Sequence, residues 1–231
     1  MFPRETLRRS LALYAVTDDA WLAGRTLASC VEEALEGGAT FVQLREKAAT
    51  IEELVAHAAA ILPLCRRAGV PFVIDDDVEA ARRLGADGVH VGQDDAACAD
   101  ARAALGPDAI VGVSAATVEE AVAAEAAGAD YLGVGAVFGT PTKPDARVTG
   151  VEGLADICHA VSIPVVAIGG LNERTIGSLA GTGADGAAVV SAIFAAEDIP
   201  GATRGLRVAI DGLLARGRAD RAPHAGEGGA V

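Results

Sequence analysis

Gly128-Ala129-Asp130-Tyr131-Leu132-Gly133-Val134 decides the fold: a Gly-Ala-Asp triplet runs directly into a short apolar stretch. The same opening recurs as Gly38-Ala39-Thr40 before Phe41, Gly85-Ala86-Asp87 before Gly88 and Gly183-Ala184-Asp185 before Gly186. A glycine in this place ends a helix in the left-handed conformation, and the Asp or Thr after it can bond the turn. Recurrence in register with apolar runs marks a repeated helix-to-strand junction rather than chance in an alanine-rich chain.

Outward from these junctions, eight runs rich in Val and Ile read as strands: Leu11–Thr17, Phe41–Glu46, Pro71–Asp75, Gly88–Gly92, Ile110–Ser114, Tyr131–Phe138, Val165–Gly169 and Gly186–Ser191. They do not alternate apolar with polar, as expected of parallel strands covered on both faces. The four triplets precede the even-numbered runs. Between the runs, segments such as Ile51–Ala68, Val78–Leu84 and Val118–Ala127 have helical spacing. Alternating β and α elements imply a parallel sheet. Eight such units in 231 residues predict an α/β fold, a single (β/α)8 TIM barrel. An open doubly wound sheet is the alternative. The expected organisation is an N-terminal extension over 1–10, the barrel over 11–215, and a flexible tail over 216–231.

Composition narrows the function. The chain is 51% hydrophobic but only 3% aromatic, so its core must be aliphatic. A formal net charge of -13 argues against nucleic-acid or anionic-membrane partners. Cys30, Cys65, Cys98 and Cys158 form no CxxC pair and read as free thiols. The apolar run after Arg8 and Arg9 stops at Thr17-Asp18-Asp19, too short for a signal peptide or a membrane span. A cytoplasmic location is the expectation.

Barrels of this type carry their chemistry where strands end at the C-terminal face. That face receives Gln43, Arg45, Glu46 and Lys47 from the second strand, and Asp75, Asp76 and Asp77 from the third. The fourth brings Gln93, Asp94 and Asp95; the fifth, Ser114; the sixth, Thr140, Thr142 and Lys143. Gly169-Gly170 and Val190-Ser191 close the ring. Lys47 and Lys143 are the chain's two lysines among 19 basic residues, and both follow strand ends. With Arg45 they form a cationic pocket suited to phosphate. Neighbouring aspartates would repel unless a divalent ion lay between them, and Mg²⁺ takes one or two carboxylates plus phosphate oxygens. Acid–base work by paired carboxylates is the rival reading. Glycines after strand seven and small residues after strand eight suit a second phosphate, bound by backbone amides. Two phosphate sites imply two phosphorylated substrates being joined, or one bisphosphate. The histidines, His90 within strand four included, read as structural.

Taken together, these residues resemble the thiamine phosphate synthase (thiamine-phosphate pyrophosphorylase) family. The resemblance runs from Leu11 and Tyr14-Ala15-Val16-Thr17-Asp18 to Ser191-Ala192-Ile193. It includes Gln43-Leu44-Arg45-Glu46-Lys47, Gly88-Val89-His90-Val91-Gly92-Gln93 with Asp95, Gly112-Val113-Ser114, Thr140-Pro141-Thr142-Lys143 and Ile168-Gly169-Gly170. The family implies a transferase that joins hydroxymethylpyrimidine diphosphate to a thiazole phosphate, or its carboxylated form, releasing pyrophosphate by a dissociative route. By position, Gln43, Arg45, Lys47, Asp75, Ser114 and Lys143 would bind the pyrimidine diphosphate, with Lys47, Ser114 and Lys143 catalytic. Asp76 and Asp95 would hold Mg²⁺. Thr140, Thr142, Gly170, Val190 and Ser191 would hold the thiazole phosphate. Asp75 departs from the pattern, since the family commonly has Asn there. The expected partners are the two small molecules, neither nucleic acid nor membrane, with a homodimer left open. A thiazole tautomerase-like barrel and a non-catalytic thiazole-phosphate-binding regulator are the alternatives; the first does not need the metal aspartates or the diphosphate-binding lysine, and the intact charged pocket disfavours the second.

Overall fold

Eight short parallel strands pair in sequence order, and the last returns to the first, so the sheet closes on itself. The structure is a computed structural model that describes residues 4–92, 98–140 and 147–221. In chain order the elements are α1 (Arg4–Ser10), β1 (Leu13–Val16), α2 (Leu27–Glu36), β2 (Phe41–Leu44), α3 (Ile51–Ala68), β3 (Phe72–Asp75), α4 (Val78–Leu84) and β4 (Gly88–Val91). They continue with α5 (Cys98–Leu105), β5 (Ile110–Ala115), α6 (Val118–Ala126), β6 (Tyr131–Val134), α7 (Gly150–Ala160), β7 (Val165–Ile168), β8 (Gly186–Val189), α8 (Ser191–Phe194) and α9 (Ile199–Arg221). The expected strands all form; seven are shorter than their apolar runs, and β5 extends one residue beyond its run, to Ala115. Leu11, Ala12, Ala136 and Val137 are buried outside any strand, so burial extends the apolar pattern past the paired backbone. Between β7 and β8 the crossover carries a 3₁₀ turn, Ile176–Leu179.

The repeated triplets work as inter-strand clamps. Gly38, Gly85, Gly128 and Gly183 all have φ between 60° and 102°, which a side chain would strain. The next polar residue does not bond its own turn. Thr40 Oγ1 accepts from Leu13 N (2.9 Å), and Asp87 Oδ2 from Phe72 N (2.9 Å). Asp130 Oδ2 accepts from Val111 N (2.9 Å), and Asp185 Oδ2 from Val165 N (3.1 Å). Each even strand is thereby fastened, at its entry, to the start of the odd strand before it.

Two apolar layers result. One lies between the strands and the surrounding helices, built on Val, Ile, Leu and Ala. The other fills the barrel and holds Tyr14, Phe41, Val73, Ile110, Tyr131 and Val166. Tyr14 and Phe41 rings lie 4.4 Å apart, with the Tyr131 ring 5.7 Å from Phe41. Tyr14, Phe41 and Tyr131 thus form an aromatic group inside the barrel, while Phe72 and Phe194 belong to the outer layer.

The N-terminal segment is part of this interior. Leu7 and Leu11 join the inner cluster and close the end where the strands begin. Arg8 holds α1 down through Asp185 (2.5 Å) and the Ser162 carbonyl (2.9 Å). At the other terminus α9 runs to Arg221, past residue 216, where the tail was expected to start. Among the described residues no helix is long and apolar enough to cross a membrane. Cys30, Cys65 and Cys98 are buried free thiols.

Candidate active site

The strand ends deliver their polar residues to one cavity. Gln43, Arg45, Lys47, Asp75, Asp76 and Ser114 line one side of it. Thr140, Gly170, Val190 and Ser191 line the other. Every expected site residue that the structure describes therefore meets in a single space. Asp95, Thr142 and Lys143 lie outside the described residues, as do Gln93 and Asp94.

The β1–β2 edge is built around a buried hydroxyl. Thr17 Oγ1 accepts from Arg45 N (2.9 Å) and donates to Arg45 O (3.3 Å). This holds the chain beyond β2 so that Arg45 turns inward. Its guanidinium lies 3.3 Å from Asp18 and 3.6 Å from Asp75. Asp18 was not among the expected site residues; its signal was the carboxylate directly after a strand end. Lys47 pairs with Asp76 and lies 3.3 Å from Asp75. Gln43 is only 4% exposed and donates from Nε2 to Asp75 Oδ1 (2.7 Å). Glu46, between them in sequence, instead turns to His57 on α3 (2.9 Å).

Asp75 sits at the centre of this network. Burial, and then the charge of Asp76, push its carboxyl up from 3.8 to about 6, against the opposing pull of Lys47 and Arg45. Burial opposes the charge on Lys47, but its bond to Asp76 and the charge of Asp75 outweigh that and raise its pKa. Asp76 follows with φ 59°, an uncommon conformation for a residue with a side chain. Its N–H donates to the His90 carbonyl (2.8 Å). Asp77 leaves the site: its side chain accepts from Ala80 N and caps α4. Of the three consecutive aspartates, two face the cavity.

His90 belongs to the cavity wall as well. Nδ1 lies 2.9 Å from the Tyr131 hydroxyl, and Nε2 lies 3.0 Å from Ser114 Oγ. Glycines make the space for these rings. A side chain at Gly112 would run into the Tyr131 ring, and a Cβ at Gly133 would lie 2.9 Å from His90 Cε1.

Across the cavity, Gly170 has φ 65°, and a Cβ there would lie 2.7 Å from that of Phe138. Only a bare backbone fits, which leaves the peptide edge open to the cavity. Ser191 opens α8 directly after β8. Among the described residues no group of three or more His, Cys, Asp or Glu side chains could hold a metal. The described oxygen donors are the Asp75–Asp76 pair.

Comparison with known proteins places this geometry. A family pattern described as thiamine monophosphate synthase matches residues 13–193. The thiamine-phosphate synthase of Chloroflexus aurantiacus is 48% identical over 199 residues, covering 86% of this chain and 92% of that protein. That of Clostridioides difficile is 45% identical over 199 residues, covering 86% and 95%. Among solved structures, a thiamine phosphate pyrophosphorylase from Pyrococcus furiosus superimposes with a TM-score of 0.84 at 43% identity, covering 90% of this chain and 99% of that one. The match spans every strand and the loops that line the cavity, so the chain belongs to the thiamine monophosphate synthase family, and its activity is thiamine-phosphate synthesis, a transferase reaction.

Proposed function

We propose that the cavity joins the two substrates as follows, with the pyrimidine diphosphate on the β2–β5 side and the thiazole phosphate on the β6–β8 side. What carries this reading is that the cationic and glycine-lined ends belong to one space, so that two phosphorylated molecules can meet with their reacting atoms between. Arg45 and Lys47, with Lys143, hold the diphosphate. Gln43, Asp75 and Ser114 hold the pyrimidine end. Gly170, Val190 and Ser191, with Thr140 and Thr142, take the thiazole phosphate through backbone amides and hydroxyls.

The donor set suits magnesium, because the acidic pair offers oxygen ligands beside a phosphate site. Asp76 and Asp95 would hold the ion, which supplies positive charge to the diphosphate. In the reaction the bond between the pyrimidine methylene and the diphosphate oxygen breaks, and the electron pair leaves with pyrophosphate. The aminopyrimidine ring delocalises the resulting cation, and the thiazole nitrogen captures it. No protein nucleophile is required. Arg45 is already held between Asp18 and Asp75, and Lys47 between Asp75 and Asp76. These donors need no reorganisation as charge builds on the leaving group. Lys143→Ala and Asp95→Ala should each lower turnover by more than about tenfold. Wild-type rates in both, measured with saturating substrates and Mg²⁺, would refute the assignment.

A further inference from the structure

Buried hydroxyls in the barrel form a chain that ends at the site. Tyr14 Oη lies 2.8 Å from Tyr131 Oη, Tyr131 Oη lies 2.9 Å from His90 Nδ1, and His90 Nε2 lies 3.0 Å from Ser114 Oγ. Tyr14 is 1% exposed and Tyr131 fully buried. Burial pushes both phenols well above their ordinary range, so each keeps its proton.

A chain of this kind can run in either direction, but one direction leaves a buried donor stranded. Among the described residues, the Tyr14 hydroxyl has one hydrogen-bond partner, that of Tyr131. If Tyr131 donated to Tyr14, the Tyr14 proton would have no acceptor, at the cost of a buried unsatisfied group. Tyr14 therefore donates to Tyr131. Tyr131 has a single proton, and its remaining partner is His90 Nδ1, so it donates there. A ring nitrogen that accepts carries no proton, which puts the imidazole hydrogen on Nε2.

We infer that His90 is a positioning residue held as the neutral Nε2–H tautomer by Tyr14 and Tyr131, and that it makes Ser114 a hydrogen-bond donor to the substrate. With Ser114 Oγ accepting from the imidazole, the serine proton goes to an acceptor other than His90. No proton is transferred; the relay sets a direction. An anionic diphosphate oxygen or a pyrimidine ring nitrogen gains a donor, whereas the opposite tautomer would consume the serine proton and present lone pairs instead. The last step, from Ser114 to substrate, rests on the placement of the pyrimidine diphosphate given above; the tautomer does not.

Nitrogen-15 NMR of histidine-labelled protein reads the tautomer directly, with the His90 signal identified by its loss in His90→Gln. The full chain at pH 8 should show Nε2 protonated and Nδ1 bare. A proton on Nδ1, or on both nitrogens, overturns the inference. Tyr131→Phe keeps the ring, removes the hydroxyl that donates to Nδ1, and lies outside the cavity wall. It should mix the two tautomers and lower kcat about three- to tenfold, with KM within about twofold. An unchanged tautomer in that variant also overturns the inference. His90→Gln, which can still donate to Ser114, should retain more kcat than His90→Leu; equal losses would leave no role for the donor. If the tautomer is as stated and Ser114→Ala keeps wild-type kcat, the substrate placement is at fault rather than the relay.

Discussion

Asp75 shows how far a single residue can be read and where reading stops. Its place at the end of β3 was legible because strand ends of a parallel barrel converge on one face. Its state was not, because the partners that set it come from another strand: Gln43 donates to it, and Arg45 and Lys47 flank it. A carboxyl raised from 3.8 to about 6 favours the fold while protonated. That contribution is complete below pH 3.8 and is lost as pH rises through about 6. The gap corresponds to at most about 3 kcal/mol. Asp75→Asn, the residue the family resemblance leads one to expect, should therefore melt a few degrees higher than wild type at pH 8 in metal-free protein. The difference should vanish near pH 4. Equal or lower melting at pH 8, by calorimetry in EDTA, would contradict this. The partners of His90 were illegible for a related reason. Tyr131 and Ser114 are 41 and 24 residues away, and nothing local in the sequence shows that both face the same interior as the imidazole.

At the scale of elements, the four triplets announced the helix-to-strand junctions, but the expected role of the Asp or Thr was too local. A turn-forming aspartate and one that accepts from the neighbouring strand look alike in sequence. The distinction has a measurable consequence at Asp130, whose carboxylate accepts from Val111 N and from Arg102 (2.6 Å). Asp130→Ala strands the Val111 amide and should cost about 2 kcal/mol, read from the urea midpoint. Asp130→Asn keeps an acceptor and should cost about half as much. A loss below about 0.5 kcal/mol in the alanine variant would mean that the clamp is dispensable. The segment over 1–10 read as an extension because its arginines mask Leu7, whose partner Leu11 opens the first apolar run. Leu7 and Leu11 fill the barrel end only once the sheet closes around them, which no local pattern shows. The 3₁₀ turn at Ile176–Leu179 was equally hidden, being too short to carry a helical period.

For the whole molecule, the division of labour is clear from the two layers. The outer layer packs the helices on the strands, while the inner layer, with Tyr14, Phe41 and Tyr131, supports a floor of Tyr131, His90 and Ser114 beneath the cavity. The excess acidity reaches into the site itself, where Arg45 and Lys47 are flanked by the carboxylates of Asp18, Asp75 and Asp76. The resemblance across the chain conveyed the activity; the structure adds that both ends of the site open onto one space. The most direct test of that central claim is a single incubation with both substrates. Protein, Mg²⁺, pyrimidine diphosphate and thiazole phosphate are mixed, and thiamine phosphate is read as fluorescent thiochrome alongside released pyrophosphate. The account predicts equal amounts of the two products, and none of either when one substrate is omitted. No thiochrome with both substrates bound, or pyrophosphate released without it, would contradict the account.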